Sequence, residues 1–562
     1  MLLPLFAALL AVSGCATLPA TQTASSAPGV VSAADPRAAE AGAEMLRQGG
    51  SAADAALATL LALTVVEPQS SGIGGGGFLV YEDGDGSPAT YDGREAAPMA
   101  ATATWFFKDG KPMGIGEAIP GGKSVGVPGN IRMMALAHRD QGRLPWARLF
   151  DPAIRLARDG FAITPRLHRI LGNSRKTGAL SAQARALFYG PDGEPLPAAT
   201  VVRNTAFAAF LSDLAARGPD SFYVGPNAQA IVAAVNGSPV NPSSMTTGDL
   251  ASYSAKPRPP VCGEYRGHRI CGMGPPSSGG TTVFAILKQV ERFDMAALGP
   301  NSPTSWHLIA ESMRLAFADR DRYLADADFV PVPVAGLTDT AYLASRSALI
   351  SPTATLATAL PGTPAGATRV TAGLVAAESG TSHFVAVDRW GEVASLTSTI
   401  ESIFGSGVMV NGYYLNNELT DFSFVPVKDG MPVANRVEPG KRPRSSMSPT
   451  IVYGPDGRVR LAVGAAGGAT IIAQVAKAII AVVDWKMGAQ QALALPVIFA
   501  PGDTVFVERG SSHEAMISAL RALGHAKVEA RPPSFKANAI QWSGGRWVGA
   551  ADPRSDGAAV AQ

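Results

Sequence analysis

Hydrophobic and polar positions alternate along this chain between a helical and an extended period. Asp35-Pro36 opens the first amphipathic helix, with a capping aspartate followed by proline at the first helical position. The helix runs to about Gln48, and Gly49-Gly50 stops it. Ser51 with Asp54 forms a second cap and opens an apolar helix through about Val66. Helical patterns recur over Ile131 to Asp140, Trp146 to Asp159, Pro165 to Leu171, Thr281 to Phe293 and Ser305 to Asp326. Extended patterns occupy Phe78 to Tyr81, Ile451 to Tyr453 and Val459 to Val463. Glu378 to Asp388 reads as a flexible loop entering a strand, with Thr381 at the junction. The turn Arg389-Trp390-Gly391-Glu392 then leads to a second strand, Val393 to Thr399, and the Thr, Val, Ser and Phe content suits a hairpin. Neither internal repeats nor heptads are present.

Between these elements lie segments with weaker patterns. Ser351 to Thr371, rich in Ala, Thr, Pro and Gly, reads as a mobile linker. Asp319-Arg320-Asp321-Arg322, at the end of a long helix, reads as a solvated ion-pair network. Gly72-Ile73-Gly74-Gly75-Gly76-Gly77 precedes a strand, whereas a dinucleotide loop follows one, and no Gly-Lys-Ser/Thr comes after it. Close backbone packing is the expected use of these glycines. Gly274 to Gly280 reads as a structural turn before a helix, an anion site at the helix N-terminus being the alternative.

Composition narrows the classes. With 46% hydrophobic and 16% charged residues, 61 Gly and 43 Pro, the chain is globular and turn-rich, and 562 residues can bury a large core. A net charge of +2 without a basic run excludes nucleic acid as the main partner. The seven histidines show no close pair at ligand spacing, which argues against a catalytic metal. No Gly-x-Ser-x-Gly elbow points to a Ser-His-Asp hydrolase.

Met1 to Val12 is apolar and too short to span a bilayer, so residues 1–15 read as a signal peptide. Val12-Ser13-Gly14-Cys15 resembles a bacterial lipobox with Cys15 as the lipidated residue, although no Lys or Arg precedes the apolar run; a plain secretory signal is the alternative. Residues 16–34 read as a tether. Export is expected, to a periplasmic location, soluble or anchored by lipid. The other two cysteines, Cys262 and Cys271, flank a hairpin turning near Arg266-Gly267; a disulfide and a pair of small core residues both remain open.

Gly380-Thr381 carries the candidate chemistry. A glycine carbonyl is unshielded, so the adjacent hydroxyl can attack it, convert the amide to an ester and let water break the chain. The new N-terminal threonine then carries a nucleophile and its own base, an α-amine titrating near pH ~8. Gly467 and Gly468, at the entry to the helix from Thr470, expose backbone N–H groups of the kind that stabilise an oxyanion. Arg94, after the strand at Tyr91-Asp92, reads locally as a surface residue in a turn.

Several motifs occur together, in order. They are Gly-Thr-Ser-His at 380–383, Thr-Ser-Thr-Ile-Glu-Ser-Ile-Phe-Gly at 397–405 and Leu-Asn-Asn-Glu-Leu-Thr-Asp-Phe-Ser at 415–423. Lys-Arg-Pro-Arg-Ser-Ser-Met-Ser-Pro-Thr at 441–450 and Gly-Gly-Ala at 467–469 follow. This set resembles the small subunit of γ-glutamyltranspeptidases. Upstream, Gly-Ile-Gly-Gly-Gly-Gly-Phe, Asp-Gly-Arg-Glu-Ala-Ala-Pro and Pro-Pro-Ser-Ser-Gly-Gly resemble the large subunit, and Ala551-Asp552-Pro553-Arg554 also fits. The resemblance runs from about residue 30 to the end.

It implies an α+β fold, the four-layer αββα sandwich of N-terminal-nucleophile hydrolases. A precursor would cleave itself into a large subunit, residues 35–380, and a small catalytic subunit, residues 381–562, paired as a heterodimer. Thr381 would be both cleavage point and nucleophile, with Gly380 as the residue cut from it. Thr399 would orient the nucleophile, and Gly467 and Gly468 would form the oxyanion hole. Arg94, Ser445 and Ser446 would hold an α-carboxylate, while Glu418 and Asp421 would hold an α-ammonium. The substrate would be a γ-glutamyl amide such as glutathione, with water or an acceptor amino acid or dipeptide as second substrate and no cofactor. A γ-glutamyl head, with a carboxylate and an ammonium on one carbon, needs both kinds of partner.

Two departures stand out. Glu401 occupies a position where many members carry Asn, which adds a third carboxylate to the ammonium side. The lid-like stretch Phe424 to Gly440 is short and lacks a Tyr, which favours water over an acceptor. An acylase of the same fold, acting on glutaryl side chains, is the alternative within enzymes. A non-catalytic surface lipoprotein is the alternative outside them.

Overall fold

A computed structural model describes residues 27–373, 380–533 and 535–562. The lipobox, Cys15, most of the tether, Glu378 and Ser379 lie outside the described residues. Two sheets stack face to face. Strand Ser382–Val387 pairs antiparallel with Val393–Thr399 on one side and Val30–Ala33 on the other. Gly76–Glu82, Ala89–Asp92 and Lys256–Pro257 extend this sheet beyond Val393–Thr399, and Ala558–Ala561 closes its other edge, making seven strands. The tether reading of residues 16–34 therefore fails at its end, because Val30–Ala33 is a buried inner strand beside Ser382–Val387.

The second sheet has six strands, in the order Arg546–Ala551, Lys536–Ser543, Val459–Ala466, Thr450–Tyr453, His268–Gly272 and Val261–Tyr265. Its strand Val459–Ala466 packs on the hairpin of the first sheet. Helices Pro36–Arg47 and Ala52–Val66 cover the first sheet, and helices Gly279–Val290 and Thr470–Val483 cover the second. The order helix, sheet, sheet, helix is the expected αββα sandwich.

Local sequence explains these elements. Asp35 accepts from Arg37 N–H at 2.8 Å with Pro36 at the first helical position, and Ser51 and Asp54 complete a reciprocal capping box. Every residue of Ala52–Val66 is buried, which accounts for its lack of a polar face. The Gly72–Gly77 tract lies at the hairpin's edge. A Cβ on Gly74 would stand 2.0 Å from the Tyr414 carbonyl oxygen, and one on Gly75 1.9 Å from that of Thr399. Close backbone approach is what these glycines permit.

Cys262 and Cys271 stand opposite each other on the hairpin and are disulfide-bonded. Its turn has positive φ at Arg266 and Gly267, as two-residue hairpin turns require. Two sequence expectations fail. Residues 351–371 are tied to helix Pro303–Tyr323, with Leu356 N–H on Glu311 Oε2 and Gly362 N–H on Asp319 Oδ1, both at 2.7 Å. Asp319 and Arg320 are buried, so the helix end is not a solvated ion-pair network. Among the described residues, no helix is long and apolar enough to cross a membrane.

Candidate active site

The chain enters the central strand at Gly380-Thr381. Gly380 N–H donates to the Glu401 carbonyl at 2.6 Å, which fixes the residue before the junction. The Thr381 hydroxyl hydrogen-bonds the Gly380 carbonyl oxygen and lies 3.2 Å from Thr399 Oγ1. Thr399 ends the partner strand, one residue beyond the Ser382–Ser398 pair, and register alone carries it to the junction. Its hydroxyl accepts from Glu401 N–H at 2.8 Å and donates to the Gly380 carbonyl at 2.8 Å, so its proton is directed. Glu401 supplies both anchoring backbone groups from a left-handed conformation, φ 75°. Its carboxylate accepts from Ser402 Oγ and Asn417 Nδ2.

A buried charge cluster lies alongside. Arg94 leaves strand Ala89–Asp92 and is 1% exposed, so the surface-turn reading is corrected. Its guanidinium pairs with Glu418 and Asp421, which share one short helical turn. Nε and Nη2 also donate to the carbonyls of Pro443 and Arg444, at 3.0 and 2.9 Å. One predicted carboxylate-binding cation thus sits directly on the two predicted ammonium-binding carboxylates. Burial raises the Glu418 and Asp421 carboxyl pKa values, and the Arg94 charge pulls them back.

Glu95, absent from the predicted set, adds another buried carboxyl. Burial pushes it up to about 7 against the pull of Arg94. Its sequence signal was its place beside Arg94 in the Asp-Gly-Arg-Glu-Ala-Ala-Pro motif.

Ser445 and Ser446 lie beside the Gly274–Gly280 turn, whose Ser278 donates from both N–H and Oγ to the Ser445 carbonyl, at 2.8 and 2.6 Å. That turn therefore has the structural use expected of it. Ser446 Oγ accepts from Arg320 Nη2 at 2.6 Å, and Arg320 Nε donates to Ser278 Oγ at 2.9 Å. Arg320 is a second buried cation on this side, hidden in sequence inside an Arg/Asp run.

Gly467 and Gly468 follow strand Val459–Ala466 with φ of 115° and 60°, conformations that favour glycine, and turn the chain into helix Thr470–Val483. Ala466 pairs with Lys536, whose Nζ lies 3.1 Å from Ser382 Oγ, which brings this turn to the Thr381 end of the central strand. Gly464 packs on the His383 ring, where a Cβ would stand 2.4 Å away.

The fold also joins residues far apart in sequence. His307 Nδ1 and His525 Nε2 lie 2.8 Å apart beside Glu311, so two histidines do come together. Their hydrogen bonds are internal: His307 Nε2 lies 2.8 Å from the Ser351 carbonyl. Glu311 accepts from Arg314, Thr355 and the Leu356 N–H. A fixed guanidinium in the cluster opposes a bound cation.

A sandwich with a threonine at the head of a central strand, its hydroxyl against the preceding carbonyl, defines an N-terminal-nucleophile hydrolase. Residues 38–562 match the family model Gamma-glutamyltranspeptidase. The chain is 36% identical over 546 residues to the Glutathione hydrolase proenzyme of Bacillus subtilis, covering 95% of this chain and 91% of that one. It is also 36% identical over 550 residues to the Acylase ACY 1 proenzyme of a Pseudomonas species, covering 96% and 94%. The crystal structure of cephalosporin acylase from Bacillus halodurans superposes with a TM-score of 0.83 at 26% identity, over 98% of this chain and 99% of that one. The chain belongs to the gamma-glutamyltranspeptidase family and is a hydrolase of that family.

Proposed function

We propose that this enzyme cleaves itself between Gly380 and Thr381 and then hydrolyses γ-glutamyl amides, glutathione among them, through an ester on Thr381. In the first stage Thr381 Oγ adds to the Gly380 carbonyl carbon, the peptide nitrogen leaves as the Thr381 α-amine, and water hydrolyses the ester to free the Gly380 carboxylate. In the second stage the α-amine takes the hydroxyl proton as Thr381 Oγ attacks the γ-carbonyl. Gly467 and Gly468 N–H groups meet the oxyanion, a kind of interaction worth roughly 3–4 kcal/mol per donor. The proton passes to the departing amine, and water or an acceptor amine releases the γ-glutamyl group.

The observation that carries this reading is the pair of threonine hydroxyls, Thr381 and Thr399, both on the Gly380 carbonyl. The charge balance supports the amino acid head. Arg94 pairs with Glu418 and Asp421, and Glu95 and Glu401 add negative charge around Glu418. This excess of carboxylates favours a head that carries an ammonium over a glutaryl group, which keeps the carboxylate but has a methylene in the ammonium's place. A substrate carboxylate would have to draw on Arg94 and on the Ser445, Ser446 and Arg320 side.

The test is intact mass of the purified protein beside Thr381→Ala, with release from γ-glutamyl anilide and glutaryl anilide. Fragments meeting at Gly380 and Thr381, absent in the variant, with γ-glutamyl release are expected. Preferential glutaryl release would make it an acylase. An uncut, inactive wild type would overturn both. Added acceptor dipeptide measures transfer against hydrolysis, which the short lid tilts towards water.

We also propose export to the periplasm, with Cys15 as a lipid attachment point. The Cys262–Cys271 disulfide supports an oxidising destination. Cell fractionation with Cys15→Ala tests it: loss of membrane association is expected.

A further inference from the structure

Lys536 begins a strand of the second sheet, is 3% exposed, and belongs to none of the motifs above. Its ammonium donates to Glu67 Oε2 at 2.7 Å, Ser382 Oγ at 3.1 Å and Ser70 Oγ at 3.3 Å. Ser382 Oγ donates to the same Glu67 oxygen at 2.8 Å, and Arg166 Nη1 reaches the other at 3.1 Å.

These partners have one thing in common. Ser382 follows the nucleophile. Ser70 accepts from Ile400 N–H at 3.3 Å, the residue after Thr399. Lys536 itself pairs with Ala466, the residue before Gly467. Lys536 therefore links the three segments that carry Thr381, Thr399 and the glycine turn. Its ammonium reaches Ser382 directly and the Thr399 segment through Ser70, and its backbone pairs with the strand that enters the glycine turn.

Leaving a buried lysine charged is costly. Desolvation draws Lys536 down to about 8, with Arg166 acting in the same direction, while Glu67 and, more weakly, Asp556 oppose it. Glu67 in turn is held below its ordinary range by Lys536 and Arg166 against its own burial. A hydrophobic residue of similar size would fill the space without that cost, and a charged pair gives fixed geometry in return.

We propose that Lys536, with Glu67, is a positioning residue of the active site, holding the N-terminal threonine, Thr399 and the oxyanion glycines in register after the chain is cut. This inference rests on the threonine mechanism above. Once Gly380 is released, Thr381 loses its covalent tether on that side, and Ser382 becomes its nearest anchored neighbour. Displacements of about 1 Å at a reacting atom cost on the order of 100-fold in rate.

The test compares full-length, processed wild type with Lys536→Met, Lys536→Met/Glu67→Gln and Lys536→Arg on γ-glutamyl anilide. The double variant avoids leaving buried Glu67 without the Lys536 charge, with Arg166 alone to balance it. Both methionine variants are expected to lose about 100-fold in kcat with KM within about twofold. Lys536→Arg should recover at least about tenfold of that loss. Its alkaline limb in kcat should move up by about one pH unit or more, since a guanidinium does not titrate there.

A double variant within about threefold of wild-type kcat overturns the proposal. So does a loss carried by KM or one that follows the thermal midpoint. Should neither methionine variant fold, a Lys536→Arg pH profile superposing on wild type overturns it instead. An inactive wild type would instead count against the threonine mechanism.

Discussion

Thr399 Oγ1 donates a 2.8 Å hydrogen bond to the carbonyl oxygen of Gly380, nineteen positions earlier in the chain. A donor on that oxygen withdraws electron density from the carbon that Thr381 would attack. It also stays in place when negative charge develops there. Replacing Thr399 with Ala should slow self-cleavage and anilide hydrolysis by about 100-fold or more, with Ser retaining most of both. Timed electrophoresis of fresh protein and steady-state kinetics measure the two effects.

Gly75 supports Thr399 from behind. A Cβ there would stand 1.9 Å from the Thr399 carbonyl oxygen and 2.9 Å from the Ile400 side chain. Gly75→Ala should therefore cost on the order of 3 kcal/mol and displace Thr399. The expected result is a lower thermal midpoint together with incomplete cleavage. Gly84→Ala provides the contrast: no atom lies within 4 Å of its added Cβ, but its φ of 95° strains the backbone without touching the site.

Glu95 couples stability to pH. Its carboxyl is raised to about 7 in the folded chain, above its unfolded value near 4.5. Between these pH values the folded state holds the proton that the unfolded state has lost, so stability falls as pH rises through that window. Glu95→Gln should flatten that part of the profile. Denaturant unfolding at pH 4.5, 6 and 7.5 measures the slope.

Arg320 links the helix Pro303–Tyr323 to Ser446 and Ser278. Arg320→Lys keeps the charge but loses the planar fork that serves both hydroxyls. If Ser446 binds the substrate carboxylate, KM should rise about tenfold, ~1.4 kcal/mol, with kcat little changed. Anilide kinetics at saturating and limiting substrate separate the two.

Local chemistry was legible in the sequence wherever it is written in neighbouring residues. The Ser51–Asp54 box, the proline after Asp35, the Arg266-Gly267 turn and the hairpin from Ser382 to Thr399 depend on contacts a few residues apart. The motif order around Thr381 also carried the family and hence the αββα fold. Burial of charge was not legible. Arg94, Arg320 and Asp319 look like surface residues because their own neighbours in sequence are polar. What buries them is packing against other segments: Ser446 and Glu418, more than 100 residues away, for Arg320 and Arg94, and Tyr342 and Gly362 for Asp319.

The sequence by itself determined which residues could react: a glycine-threonine bond, a second threonine at the end of the next strand, and paired glycines before a helix. Only the tertiary structure decided how they are held and charged. Strand register places Thr399 on the Gly380 carbonyl. Sheet stacking brings Lys536 to Ser382, and the meeting of distant loops sets Arg94 among carboxylates. Reactivity is a property of a functional group and can be read from its name. Position and proton affinity depend on the field and contacts of the whole fold, which no stretch of neighbours contains.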